Sequence, residues 1–321
     1  MRQPLISVLA IHALWSVEAF FSFKALKCRY HGSQDLKNER LTSERRLLNE
    51  QLDSVGLRAS RLISQFESED FPQASWPFSD VDMARMDSSN DANFYDTPRF
   101  VTHIDDRAIE SLTEYYREEF QTFLESNGKD KLDVLDLCSS WISHLPDDIP
   151  YGRVCGIGMN DEELKANEQL SDYAVKDLNV DPSLKGICDD NSFDVVCNVV
   201  SVDYLTKPRE VFEEMHRVLR PGGMALISFS NRCFPTKAVS VWLREDEIGR
   251  LSIVGSYFNY SAKWSQIGAY DIKLPPLKTP PRPSFGDMLK EPSLGYAWAT
   301  AASSVARTNA GDPMYLVKGV K

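Results

Sequence analysis

Polar residues stand where apolar runs end along the second half of the chain. Asp136 lies in LDVLDL, Gly158 and Asn160 close GRVCGIGMN, and Asp177 and Asn179 close DYAVKDLN. Ser201 and Asp203 follow SFDVVCNVV, and Asn231 and Arg232 follow MALISFS. Carboxylates, amides and hydroxyls gathered in this way hold a ligand at the rim of a parallel sheet, beyond the carboxyl ends of its strands. Hydride transfer on a nicotinamide cofactor would ask for G-x-G-x-x-G after the first such run, and no such motif is present. Cys138, Ser139, Ser140 and Trp141 stand there instead. Cysteine and serine carry a Cβ and do not freely take positive φ, so the turn is expected to use ordinary backbone angles. Ser139 and Ser140 would then cap a short helix and offer their hydroxyls to a ligand. The six cysteines form no CxxC pair and show no zinc spacing, so no metal site is expected. Cys155 and Cys197 fall inside apolar runs and read as small buried hydrophobes.

The elements that must carry these residues alternate. DDRAIESLTEYYREEFQTFLES has apolar residues at helical spacing, with Asp105 or Asp106 as its cap. Strands are expected at LDVLDL, GRVCGIG, DYAVKDL, SFDVVCNVV and MALISFS, with two closing strands at GAYDIKLP and PMYLVKGV. Between them come a short helix from Ser139 to His144, a polar helix at DEELKANEQL and an amphipathic helix at PREVFEEMHRVLR ended by a PGG turn. A further helix begins near Pro235, and a proline-rich loop, LPPLKTPPRPSFGDMLKEPSLG, precedes the last strand. Strands alternating with helices, in nearly continuous apolar runs, imply an α/β fold: a Rossmann-like doubly wound, mostly parallel sheet of about seven strands with helices on both faces.

The chain has 321 residues and a formal charge of −11. Its first thirty residues hold Arg2, Lys24, Lys27 and Arg29 against Glu18 alone, so the body is more acidic still. An acidic body argues against nucleic acid as a partner. Arg2, the apolar stretch from Pro4 to Trp15 and Val17-Glu18-Ala19 have the order of a signal peptide, too short for a comfortable membrane span. With the Ala19-Phe20 junction and the basic residues after it, residues 1–30 are similar to the two-part plastid presequences of diatoms and related algae. That resemblance implies a plastid destination and no stable membrane span in the mature chain; plain secretion or an uncleaved anchor remain open. Residues 31–90 read as a polar linker with an exposed helix, and 91–321 as the folded domain.

VLDL, YAVKDLN, SFDVVCNVVSVDYLTKPREVFEEMHRVLRPGG and MALISFSNR together resemble class I S-adenosylmethionine-dependent methyltransferases of the type 11 kind, over about 95–321. FYDTPRFVTHIDDRAI, CSSWISHLP and GIGMNDEEL look like a divergent subgroup of methyltransferase-like proteins from photosynthetic organisms and bacteria. The resemblance implies S-adenosyl-L-methionine as cofactor. Asp136 would hold its methionine end, with Cys138 and Ser140 in the turn where the family places glycines. Gly158 stands where the family has a ribose-binding acid, and Asn160 or Glu162 would replace it. Asp177 would accept from the adenine amine and Leu178 pack on the ring. Asn198 to Ser201 would line the cofactor and acceptor side, with Asp203 and Tyr204 at the substrate.

His103 is the candidate base or lid contact for a hydroxyl or amine acceptor. His144 reads as a packed or capping residue and His216 as surface. Trp141 closes over the cofactor or packs in the core, and Arg99 holds a carboxylate or a structural ion pair. Asn231, Arg232 and Lys237 could bind an acidic substrate. The reading that follows is methyl transfer to a small molecule. The alternatives are an inactive methyltransferase-like module binding a metabolite or protein partner, and an enzyme using the pocket for another nucleotide. The sequence leaves the oligomeric state open.

Overall fold

The apolar runs become strands buried on both faces. The computed structural model describes residues 60–321 apart from Pro72 and Ala74. The expected presequence, and the expected exposed helix as far as residue 59, lie outside the described residues; the end of that expected helix, up to Glu67, does not. In chain order the strands are β1 (Arg61–Phe66), β2 (Leu132–Ser139), β3 (Tyr151–Gly158), β4 (Asp172–Val175), β5 (Phe193–Val199), β6 (Leu219–Phe229), β7 (Gln266–Asp271) and β8 (Tyr315–Val320). The helices are α1 (Asp80–Met83), α2 (Asp91–Phe94), α3 (Asp106–Asn127), α4 (Asp161–Ala166), α5 (Pro208–Val218), α6 (Ser240–Arg244), α7 (Glu247–Ser261), α8 (Phe285–Lys290) and α9 (Ser293–Asn309).

One sheet has the order β1-β7-β8-β6-β5-β2-β3-β4. The run from β6 to β4 is parallel, and β8, β7 and β1 add antiparallel strands at one side. This is the expected α/β architecture with eight strands. Strand order reverses between β2 and β5, so a crevice opens beyond their carboxyl ends. Helix α3 covers one face: Leu112, Tyr116 and Phe120 pack on Val134, Val195 and Leu226. Asp105 caps it by accepting from the Ala108 amide at 2.9 Å. Helices α5 and α7 cover the other face through Val211, Phe212, Ile253 and Phe258. Cys155 and Cys197 are buried and free, as small hydrophobes should be.

Four local expectations change. Ser139 to His144 is not a helix: Ser139 ends β2 and residues 140–150 are irregular. The backbone is turned twice there, by Cys138 at φ 59° and His144 at φ 56°. Arg61–Phe66, the tail of the expected exposed helix, is instead an edge strand on β7. The segment after it lies on α7, where Trp76 stacks on Tyr257 at 5.7 Å and Phe71 meets Tyr260 edge-on at 6.0 Å. Lastly, the helix expected near Pro235 starts at Ser240, and the PGG turn is absorbed into β6.

Candidate active site

A cavity of about 300 Å³ lies at the reversal point, at the lower end of the range for ligand pockets. Its floor is the ends of β2, β3 and β5, and its roof is the chain from Arg85 to Ile104, which crosses the rim before α3 begins. Neither Trp141 nor the Cys-Ser-Ser turn fills it. The Trp141 ring lines one wall and its indole nitrogen donates to the Val101 carbonyl at 3.1 Å, tying roof to floor.

Asp136 is 3% exposed and faces the cavity. Its Oδ2 accepts from Ser139 Oγ at 2.6 Å and Ser143 Oγ at 2.7 Å, and Asn167 donates to Ser143 Oγ at 2.8 Å. Burial lifts its carboxyl to about 6, with the two hydroxyls pulling the other way. Cys138 lines the cavity in the left-handed conformation, contrary to the ordinary angles expected for it, and burial pushes its thiol up to about 12. Val200, in the loop after β5, also has positive φ, 42°, which is a genuine outlier for a β-branched residue. Strain of this kind gathers at binding sites.

The end of β3 has no room for a side chain. A Cβ on Gly158 would sit 2.2 Å from the Ser139 carbonyl oxygen, because β2 and β3 pair there. The cavity's carboxylate on this side comes instead from Glu163, one turn into α4. Its oxygens accept from Ser140 Oγ at 2.6 Å and the Arg99 amide at 2.7 Å. Sequence reasoning named Asn160 and Glu162 for this place and missed Glu163. Asn160 is the cap of α4, accepting from the Glu162 and Glu163 amides, and it donates to the Tyr95 carbonyl at 2.8 Å. Neither Asn160 nor Glu162 lines the cavity. The signal available was the cap itself: an N-cap asparagine at 160 turns position 163 back toward the rim.

Asp177, Leu178 and Ser201 reach the cavity as expected. Asp177 accepts from the Asn179 amide at 2.8 Å, which folds the loop after β4 over the rim. Of the three residues named for catalysis, His103 and Tyr204 line the cavity and Asp203 does not. Asp203 is buried behind it, and burial lifts its carboxyl to about 7. The Tyr204 hydroxyl accepts from the Phe234 amide at 2.8 Å. The His103 ring meets Phe234 edge-on at 5.6 Å, and burial lowers its basicity. His144 also lines the cavity, its buried Nδ1 has no hydrogen-bond partner, and burial takes its pKa down to about 4. It is not a helix cap, and its ring is packed at the cavity wall.

The roof is latched by a buried cluster. Lys237, 2% exposed, lies 3.1 Å from both Asp87 and Asp91, and Arg85 pairs with Asp91 at 2.8 Å. Asn179 donates to the same Asp91 at 2.9 Å.

With this geometry in place, the comparisons can be set beside it. Residues 139–227, from the end of β2 into β6, match the family model described as a methyltransferase domain. That stretch contains β3, β4, β5 and most of the cavity floor. It supports a methyltransferase domain over that part of the chain. No curated protein matches the chain.

Among solved structures, an S-adenosylmethionine-dependent methyltransferase from Mesorhizobium loti is 13% identical, TM-score 0.33, covering 64% of this chain and 96% of that one. Phosphoethanolamine N-methyltransferase 2 of Haemonchus contortus, in complex with S-adenosyl-L-methionine, is 15% identical, TM-score 0.39, covering 72% of this chain and 60% of that one. The [4+2]-cyclase SpnF is 16% identical, TM-score 0.36, covering 64% of this chain and 80% of that one. Among the described residues no helix is long and apolar enough to cross a membrane.

Proposed function

We propose that the protein transfers a methyl group from S-adenosylmethionine to a small-molecule acceptor. The observation that carries this reading is the cavity at the strand-order reversal, whose floor lies largely within the matched stretch, with acids spaced around it. The residues fit a ligand bearing a sulfonium and an ammonium. Asp136 is an ionisable acid held by two serines, Glu163 stands on the β3 side, and Asp177 ends the β4 loop. Asp136 holds the amino-acid end, Asp177 and Leu178 the base, and Glu163 takes the place of the ribose acid. The bound cofactor supplies an electrophilic methyl group. Positioning then provides most of the rate, because a sulfonium needs little acid-base help. His103, kept neutral by burial, accepts the proton when the acceptor is a hydroxyl or an ammonium. The roof from Arg85 to Ile104 excludes water.

Calorimetric titration of the full chain with S-adenosylmethionine, NAD and ATP tests the reading. Binding of the first alone is expected, weakened about tenfold or more by Asp136→Ala and by Asp177→Ala, a loss of about 1.4 kcal/mol. Absence of heat and of thermal shift with S-adenosylmethionine would leave the inactive module as the better account. A plastid setting, expected from residues 1–30, is proposed on the same footing, and import of a fluorescent fusion in algal cells checks it.

A further inference from the structure

Five cationic side chains line the cavity, and four of them are already paired with acids. Arg85 is held by Asp91 at 2.8 Å, Lys176 by Asp181 at 2.5 Å, Arg232 by Asp312 at 2.8 Å, and Lys237 by Asp87 and Asp91 at 3.1 Å. The fifth is Arg99. Among the described residues its guanidinium has no carboxylate partner. Its carbon lies 4.1 Å from the centre of the Phe94 ring and 5.7 Å from that of Phe234. Its own backbone amide is fixed by Glu163 at 2.7 Å, so the side chain springs from an anchored point. The two rings, 72° apart, flank the guanidinium by cation–π contact at the cavity wall. A planar fork of donors is the partner of a carboxylate, bound through two parallel hydrogen bonds.

The place of the fork decides which carboxylate. Phe234 belongs to the loop after β6 and Phe94 to α2 of the roof, whereas the acids that fit the cofactor rise from β2, β4 and α4. His103 packs against the same Phe234 ring. Fork and base therefore share one wall, made by the roof and the loop after β6, and Glu163 borders that wall through the Arg99 amide.

Resting on the methyl-transfer reading, we propose that the acceptor is a small carboxylic acid whose carboxylate seats on Arg99, presenting a second group to the transferred methyl beside His103. Specificity then comes from one charged contact, and a neutral amide of the same shape is rejected because it leaves the guanidinium unpaired at the cavity wall.

The test uses the full chain saturated with S-adenosylhomocysteine, with acetate and benzoate as probes and acetamide and benzamide as their neutral counterparts. The carboxylates are expected to raise the melting temperature by about 3 °C at tenfold above their dissociation constants, and the amides not to. Arg99→Met should abolish the carboxylate shift while leaving affinity for S-adenosylhomocysteine within about twofold. Arg99→Lys, which keeps the charge but loses the fork, should retain only part of the shift, and its folding is checked by circular dichroism. Equal shifts with acids and amides, no shift in the unaltered protein, or a shift that survives in Arg99→Met overturns the proposal. So does a tenfold loss of S-adenosylhomocysteine affinity in Arg99→Met, which would give Arg99 to the cofactor's own carboxylate. Failure of the unaltered chain to bind S-adenosylhomocysteine at all is a different result and removes the methyl-transfer reading itself.

Discussion

The ends of β2 and β3 lie side by side, yet they treat the backbone in opposite ways. At β2 a cysteine takes the left-handed conformation that glycine ordinarily fills, with φ 59°. At β3 a glycine stands without any such φ, because the Ser139 carbonyl leaves no room for a Cβ. One position is constrained by angle and the other by space. A glycine missing from one turn and present in the next therefore does not show a site decaying. The same crevice is closed by different local means, and the carboxylate lining the cavity on the β3 side is Glu163, four residues beyond Met159.

The largest effect should come from reversing the β3 solution. Gly158→Asp puts an acid at the end of β3, but its Cβ would meet backbone rather than a yielding side chain. A loss of at least about 3 kcal/mol in urea unfolding is expected. A stable variant with tighter S-adenosylmethionine binding would break the comparison. Next comes the acid of β2. Asp136 has a folded value near 6, above its ordinary 3.8, so it is ionised only above about pH 6. Binding of the cationic cofactor should weaken about tenfold for each pH unit below that point, and Asp136→Asn should flatten the profile. Stability moves the other way. The protonated acid favours folding most fully below about pH 4, and that contribution is lost as pH rises through about 6. The smallest effect separates angle from space at β2. Cys138→Gly should be more stable than Cys138→Ala by about 1 kcal/mol, the reverse of the usual order.

Much of this was readable before any coordinates. The apolar runs of β2, β3, β5 and β6 announce strands buried on both faces, and PREVFEEMHRV carries an unmistakable helical stripe. What failed has physical causes. RLISQF is a half-exposed edge strand amid charges, so its alternation is weak and it reads as the tail of the charged, leucine-spaced helix before it. EIGRLSIVGSYFNYS is apolar nearly all round, because α7 is buried between β1's neighbours and α5, and without a polar face it gives no helical period. The segment after β2 looks like a capped helix, but tertiary pairing to β3 and the roof pulls Cys138 and His144 into left-handed turns. Of the site, Asp136, Asp177, Tyr204 and His103 were found because they follow strands or precede α3. Glu163 was hidden in a run of acids, DEEL, where only the cap at Asn160 tells which one turns inward. Asp203 was misplaced by one residue's rotation: Tyr204 faces the cavity and its neighbour points into the core.

The strand Arg61–Phe66 has a practical consequence for anyone who would shorten the chain. It sheathes the outer backbone of β7, and the thirty residues after it carry the aromatic rings on α7 and the acids that neutralise Lys237. A fragment starting at the obvious boundary, near residue 91, would bare an edge eager to pair with another copy and take Asp87 away from the buried ammonium of Lys237, leaving it Asp91. Such a fragment should clump, and its silence toward any ligand would say nothing about the intact molecule.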